Sequence, residues 1–165
     1  MIDVTTVLAL QFDGVNWVDV AGDVNSDIVA QYGISGTGPF ARLADTGQIK
    51  FALINTAQNS GGLAGYYSPG NANCRAGFDL GCGVRLRVTY GAVVYTKWQG
   101  WISRLVPTAG TYGRQATEVE ATDWIGEAST AKLAQIPLQV AKRGDQLITT
   151  IVAAIHGRPH ACLPV

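Results

Sequence analysis

The residues best suited to coordination chemistry are His156, His160 and Cys162, a His-x3-His-x-Cys run close to the end of the chain. All three types ligate zinc, but Pro159 interrupts the run and no second ligand cluster accompanies it, so a solvated tail is the better reading. Asp23-x-Asn25-x-Asp27 begins like a calcium loop, then places Ile28 where Gly is needed and Ile34 where a bidentate Glu is needed. It reads as a polar turn. Nucleophilic catalysis requires Ser or Cys beside a His base and an orienting acid, and both histidines of this chain lie in its last ten residues. Glu118 and Glu120, with Asp123 close by, have the spacing of acids on a solvated strand face rather than of a glycosidase pair. Gly33-x-x-Gly36-x-Gly38 lacks the Lys-Ser/Thr of a phosphate loop and is followed by Pro39-Phe40 where a helix should begin. Arg143-Gly144-Asp145 matches an adhesion tripeptide, but Gly144 and Asp145 are accounted for by a helix start. No catalytic residue, no metal site and no cofactor is expected.

Two further groups carry potential for binding. Cys74, Cys82 and Cys162 are odd in number, which argues against a disulfide framework; Cys74 and Cys82 flank a short loop and could bridge if oxidised, but read more simply as small, half-buried thiols. Trp98 and Trp101 are three positions apart, so on a regular strand they face opposite ways, unless Gly100 bulges and brings them together. An exposed tryptophan with nearby tyrosines could stack on sugar rings. Core on one side and subunit contact on the other is the simpler account.

The elements that position these residues are mostly strands. Thr5–Phe12 and Asn16–Val20 surround Asp13-Gly14 and predict a hairpin. Val24–Ile34 is ambiguous, and Gly33–Gly38 is a loop by its glycines. Gln48–Ile54 alternates cleanly, as does Val84–Tyr90, which Gly91 turns into Val93–Arg104; Gly100 within that run predicts a bulge or bend. Gln115–Thr122 is a further strand of unclear facing. Ile49, Phe51, Leu53, Val84, Leu86 and Val88 are expected to form the core. The period then lengthens to about 3.6, predicting a short helix over Asp123–Ile136 and a better one over Asp145–His156, with Leu147, Ile148, Ile151, Val152 and Ile155 as its apolar stripe. Between the sheet blocks, Asn55–Gly83 is a long loop rich in Gly, Asn, Ser and Pro, and a loop of that length is either functional or packed on a neighbour.

Composition narrows the function classes. The 165 residues are 47% hydrophobic, enough for a real core, yet only 15% charged, with twelve basic and twelve acidic residues in balance. That balance offers no footprint for nucleic acid or an anionic membrane. So weakly charged a surface favours contact with other subunits. The N-terminus has no signal-peptide pattern, and no apolar run approaches the about 20 residues that cross a bilayer, so a soluble protein is expected.

Six blocks in order carry a family resemblance: Phe12-Asp13-Gly14 with Trp17-Val18-Asp19-Val20; Arg42 to Asn55, RLADTGQIKFALIN; Tyr67-Ser68-Pro69-Gly70; Val84 to Tyr95, VRLRVTYGAVVY; Gly100-Trp101; and Val119-Glu120-Ala121-Thr122-Asp123-Trp124. Across roughly residues 5–128 the chain resembles the N-terminal region of tailed-bacteriophage minor tail and baseplate hub proteins. The resemblance implies a virion protein of the tail tip, made in the bacterial host cytoplasm. It also implies a hub-type antiparallel β-barrel or sandwich that packs in a ring and joins the tail tube to the host-contacting end. Its implied partners are further copies and other tail proteins: tail tube, distal tail, tape measure or fibre.

The expected fold is therefore mainly β with a helical C-terminal quarter (α+β): residues 1–124 as the barrel or sandwich with a long inserted loop, and 125–165 as a helical appendage and tail. The protein is expected to be a non-catalytic structural subunit, with assembly contacts in the Asn59–Asp79 loop and its surroundings: Tyr66, Tyr67, Pro69, Phe78 and Trp101. The alternative is a carbohydrate-binding module for host surface glycan, using Trp98 or Trp101 with tyrosines.

Overall fold

Seven strands form one antiparallel sheet in the order β2-β1-β5-β6-β7-β4-β3. They are β1 (Val4–Gln11), β2 (Val18–Asp19), β3 (Val29–Ile34), β4 (Ala44–Ile54), β5 (Gly83–Tyr90), β6 (Val93–Thr108) and β7 (Ala116–Thr122), followed by the helices α1 (Trp124–Thr130) and α2 (Gly144–His156). The structure, a computed structural model, describes residues 4–34, 44–108, 115–130 and 142–156.

The alternation read from the sequence sets the inner face. Ile49, Phe51 and Leu53 of β4 and Val84 and Leu86 of β5 are buried, joined by Leu8 and Leu10 of β1, Trp98 and Ile102 of β6, and Val119 and Ala121 of β7. Val88 is only half-buried, because it lies where the inner face runs on past the core. On β7 the residues facing inward are Thr117, Val119 and Ala121, leaving Glu118 and Glu120 outside. β1 and β4 have three strands between them in the sheet, yet their inner side chains belong to one core cluster.

The sheet is not closed into a barrel, nor does it split into a two-sheet sandwich, which corrects the expected architecture. The reason lies in the segment between its two edges. β2 adds only two residues to the free edge of β1, pairing Ala9 with Asp19 and Leu10 with Val18. The chain then makes a 3-10 turn at Ala21–Asp23 and touches β4 at one bridge, Val24 to Leu53, before β3 pairs with β4 from Val29 onward. Chain continuity spans the gap without a ladder between β2 and β3.

β6 is long because it bends. Register shifts fall between its Thr96 and Trp98 against β5, and between Ile102 and Arg104 against β7, so the irregularities flank Gly100. Gly100 itself stays in register opposite Val84. A Cβ there would stand 2.1 Å from the Thr122 carbonyl oxygen and 2.6 Å from the Trp98 ring, so only glycine lets β6 and β7 approach with Trp98 folded over the strand. β6 continues to Thr108 through Pro107, which sits beyond the end of β5, where the missing N–H breaks no β5 ladder.

Asp123 starts α1 by accepting the Gly126 N–H at 3.1 Å, and Gly47 of β4 leaves room for its carboxylate. At α2 the Gln146 side chain reaches back to accept the Arg143 N–H at 3.2 Å, half of a capping box, with Asp145 in the first turn. Arg143 and Asp145 pair with each other at 3.3 Å on the surface. The Gly33–Gly38 loop lies largely outside the described residues, as do the end of the helix expected at Asp123–Ile136 and the side chains of the His156, His160 and Cys162 trio.

Candidate functional site

The loop between β4 and β5 is built from turns and fastened by buried amides. Asn55 accepts the Tyr67 N–H at 2.9 Å and donates to Ser68 Oγ at 2.6 Å. Asn59 donates to the carbonyls of Thr56 at 2.7 Å and Leu63 at 2.9 Å, and accepts the Gly61 N–H at 3.0 Å. Asp23 reaches across from the 3-10 turn and accepts Ser60 N–H at 2.7 Å, Ser60 Oγ–H at 2.6 Å and the Tyr67 hydroxyl at 2.5 Å. Thr117 of β7 donates to the Tyr67 carbonyl at 2.6 Å. Asp23, Asn55, Asn59 and Thr117 are all buried, and each has partners, as burial of polar groups demands.

Aromatic packing completes the seat. Tyr67 stacks edge-on with Tyr66 at 5.1 Å and Phe78 at 5.2 Å, and Phe78 lies 6.2 Å from Phe12 at the end of β1. The Arg75 guanidinium covers the Phe12 ring at 3.8 Å. Gly77 brings the loop backbone directly against β1: its φ is +78°, and a Cβ would stand 1.9 Å from the Phe12 carbonyl oxygen.

This placement divides the expected assembly residues. Tyr67 is 0% exposed and Phe78 is likewise buried, so both are core residues that hold the loop on its own sheet and offer no surface to a partner. Tyr66, Pro69 and Trp101 are half-buried and do present surface. Trp98 and Trp101 face opposite ways. Trp98 is 4% exposed and lies in the core, while Trp101 lines an open groove of about 490 Å³ with Thr46, Ser103, Thr122, Glu127 and Thr130.

Electrostatics on the outer sheet face are local. Glu120 is shared by Lys50 at 2.9 Å and Arg104 at 3.2 Å, and the Lys50 hydrogen bond holds its carboxyl below the usual range. Asp13 accepts the N–H groups of Asn16 and Val15, which lower its pKa to about 2. Cys74 carries a free thiol, whose pKa is raised by burial and then by the Asp79 charge. The Asp23, Asn25, Asp27 series is no cation loop, since the Asp23 carboxylate is engaged by Ser60 and Tyr67. Among the described residues no three His, Cys, Asp or Glu side chains are grouped to hold a metal ion, and no helix is long and apolar enough to cross a membrane.

Sequence reasoning missed one surface. The inner face of β1, β5 and β6 continues past the core as the rows Val4, Tyr90, Val93 and Thr6, Val88, Tyr95. Tyr90 and Val93 are each 51% exposed, and Val4 and Tyr95 are similarly open. On α2, Ile148 is 64% exposed, with Leu147 and Ile151 also at the surface. The alternation that identified these strands was the available signal, but it cannot say how far along a strand the covering ends. No protein-family model matches the chain, and no curated protein matches it.

Proposed function

We propose that this chain is a non-catalytic structural subunit of a bacteriophage tail tip or baseplate. In this reading it packs with copies of itself and with neighbouring tail proteins, and joins the tail tube to the host-contacting end. The observation that carries the assembly reading is the uncovered apolar end of the inner sheet face, Val4, Tyr90, Val93 and Tyr95, together with the outward stripe of α2. Adjoining apolar residues left open to water mark contact surfaces. The 15% charge content agrees, because charged residues are depleted at interface cores. The six-block resemblance supplies the tail-tip setting. The rigid seating of the loop adds a pre-formed surface around Tyr66 and Pro69, which lowers the ordering cost of association.

Light scattering of the purified chain, with negative-stain microscopy, tests the proposal. A defined trimer, hexamer or complex with another tail protein supports it; a monodisperse monomer at high concentration removes it.

Glycan binding is the second reading, favoured by Trp101 in its groove beside Thr46 and Glu127. Trp98 takes no part in it, being buried. A blank glycan array, with tryptophan fluorescence unmoved by host polysaccharide, ends this alternative.

A further inference from the structure

Arg85 and Arg87 project from the same, outer face of β5, where alternation places residues two apart. In the sheet, Arg85 is flanked by Ala9 and Gln99, and Arg87 by Val7 and Thr96. None of these is acidic. Lys50 and Arg104 share Glu120, and Arg143 has Asp145, whereas neither Arg85 nor Arg87 has a carboxylate within ion-pair distance among the described residues. Both side chains are half-buried, and both Nε–H donors are shielded from water with no acceptor. An unmet, shielded donor costs free energy, and two neighbouring cations without an anion add repulsion.

The pair is also held in shape. The Arg85 guanidinium lies 4.2 Å from the centre of the Trp17 ring. Trp17 reaches this position because β5 begins with Gly83: a Cβ there would stand 3.2 Å from the ring. Contact with the indole holds the guanidinium in place, and a guanidinium offers its N–H edges to a bidentate acceptor. Burial, with the Arg87 charge, lowers the proton affinity of Arg85, consistent with a cation lacking its counter-charge.

We propose that Arg85 and Arg87 are the receptor for the carboxylates of an acidic segment on an adjacent protein subunit. The choice of partner rests on the assembly reading above. Trp and Arg dominate the energetics of protein contacts, and Trp101, opposite Gly83 in register, extends the same surface. A nucleic acid or anionic membrane would need a broader basic field than a chain with twelve basic and twelve acidic residues supplies.

The test uses the whole chain, labelled with nitrogen-15, and a peptide of alternating Glu and Ser, with its Gln counterpart and inorganic phosphate as controls. The Glu peptide is expected to shift the Nε–H resonances of both arginines saturably, with affinity falling by at least about tenfold from low to high salt. Arg85→Gln/Arg87→Gln is expected to lose at least about tenfold in affinity while keeping the parent circular dichroism and melting temperature. If the double variant does not fold, Arg87→Gln, which spares the Trp17 stack, carries the same expectation. Equal binding of the Gln peptide, tighter binding of phosphate than of the Glu peptide, unmoved arginine resonances, or a folded variant that binds normally overturns the proposal. Solution mass is read separately: a monomer that still binds the Glu peptide keeps the receptor and loses the assembly reading.

Discussion

The Tyr67 hydroxyl donates a 2.5 Å hydrogen bond to Oδ2 of Asp23, joining the long loop to the turn that links the two edges of the sheet. Ser60 adds two more donors to the same carboxylate. The loop, the edge-to-edge segment and β4 are therefore one cooperative unit. Deleting Asn59–Asp79, the direct test of an assembly loop, would strip Tyr67 and Phe78 from the core along with any contact surface.

Asp23→Ala should lower stability by about 3 kcal/mol, because it leaves the buried Tyr67 hydroxyl unmet and hands the two donors of the exposed Ser60 to water, a hydrogen bond to a charged group contributing about 1.5–3 kcal/mol. Tyr67→Phe should cost less, about 1–3 kcal/mol, since Ser60 still satisfies the carboxylate. Urea unfolding checks both: the midpoint should move in that order with the slope unchanged.

Burial, with the Asp23 hydrogen bond, holds the Tyr67 hydroxyl well above the ordinary tyrosine range. A group whose pKa is raised by folding contributes stability that is complete below its unfolded value, about 10, and is lost as pH climbs through the folded one. The protein should therefore weaken above about pH 10. In a stability profile, Tyr67→Phe should flatten that alkaline decline; a decline of parent steepness would count against the assignment.

Two loop glycines separate strain from collision. Gly70 has φ +83° with open space around it, so Gly70→Ala should cost about 1–2 kcal/mol, the penalty of a left-handed backbone. Gly77 has φ +78° and the Phe12 carbonyl 1.9 Å from the Cβ position, so Gly77→Ala should cost several kcal/mol or prevent folding. Comparable melting temperatures for the two would refute the close seating of the loop on β1.

Assembly is addressed by charging the open apolar surfaces. Val93→Glu and Ile148→Glu replace residues that are 51% and 64% exposed, so each should change stability by less than about 0.5 kcal/mol. If these surfaces meet other subunits, either variant should shift the solution mass towards monomer. Full-size assemblies of the combined variant would remove both surfaces from the interface.

The outer ion pairs should matter little. Glu120→Gln removes two exposed partners, Lys50 and Arg104, and should cost less than about 1 kcal/mol, with the difference shrinking in salt. The Glu120 pKa is lowered, so its contribution is present above the unfolded value near 4.3 and fades as pH falls below it.

What was legible in the sequence was what depends on neighbours along the chain. Alternation at Ile49, Phe51 and Leu53 and at Val84 and Leu86 identified strands and their buried faces, because side chains on a strand repeat every two residues whatever the partner. The 3.6 period with Gly144-Asp145 located α2. The same rule gave Trp98 and Trp101 opposite faces only if Gly100 did not bulge, which its register opposite Val84 decided; the Asp23 turn read as polar once its calcium spacing failed.

What the tertiary structure decided was everything that joins distant positions. Whether a sheet closes depends on the geometry between its edges, and here a two-residue β2 and a 3-10 turn left it open, against the expectation of a barrel. Burial of a side chain depends on what folds over it. Composition made Tyr67 and Phe78 look like loop residues free to reach a neighbour, yet Asp23, Thr117 and Phe12, all remote in sequence, draw them into the core. Local pattern assigned most strands of this protein and α2, though it left β3 ambiguous; long-range packing, through contacts no spacing encodes, determined which of their side chains remain available to another molecule.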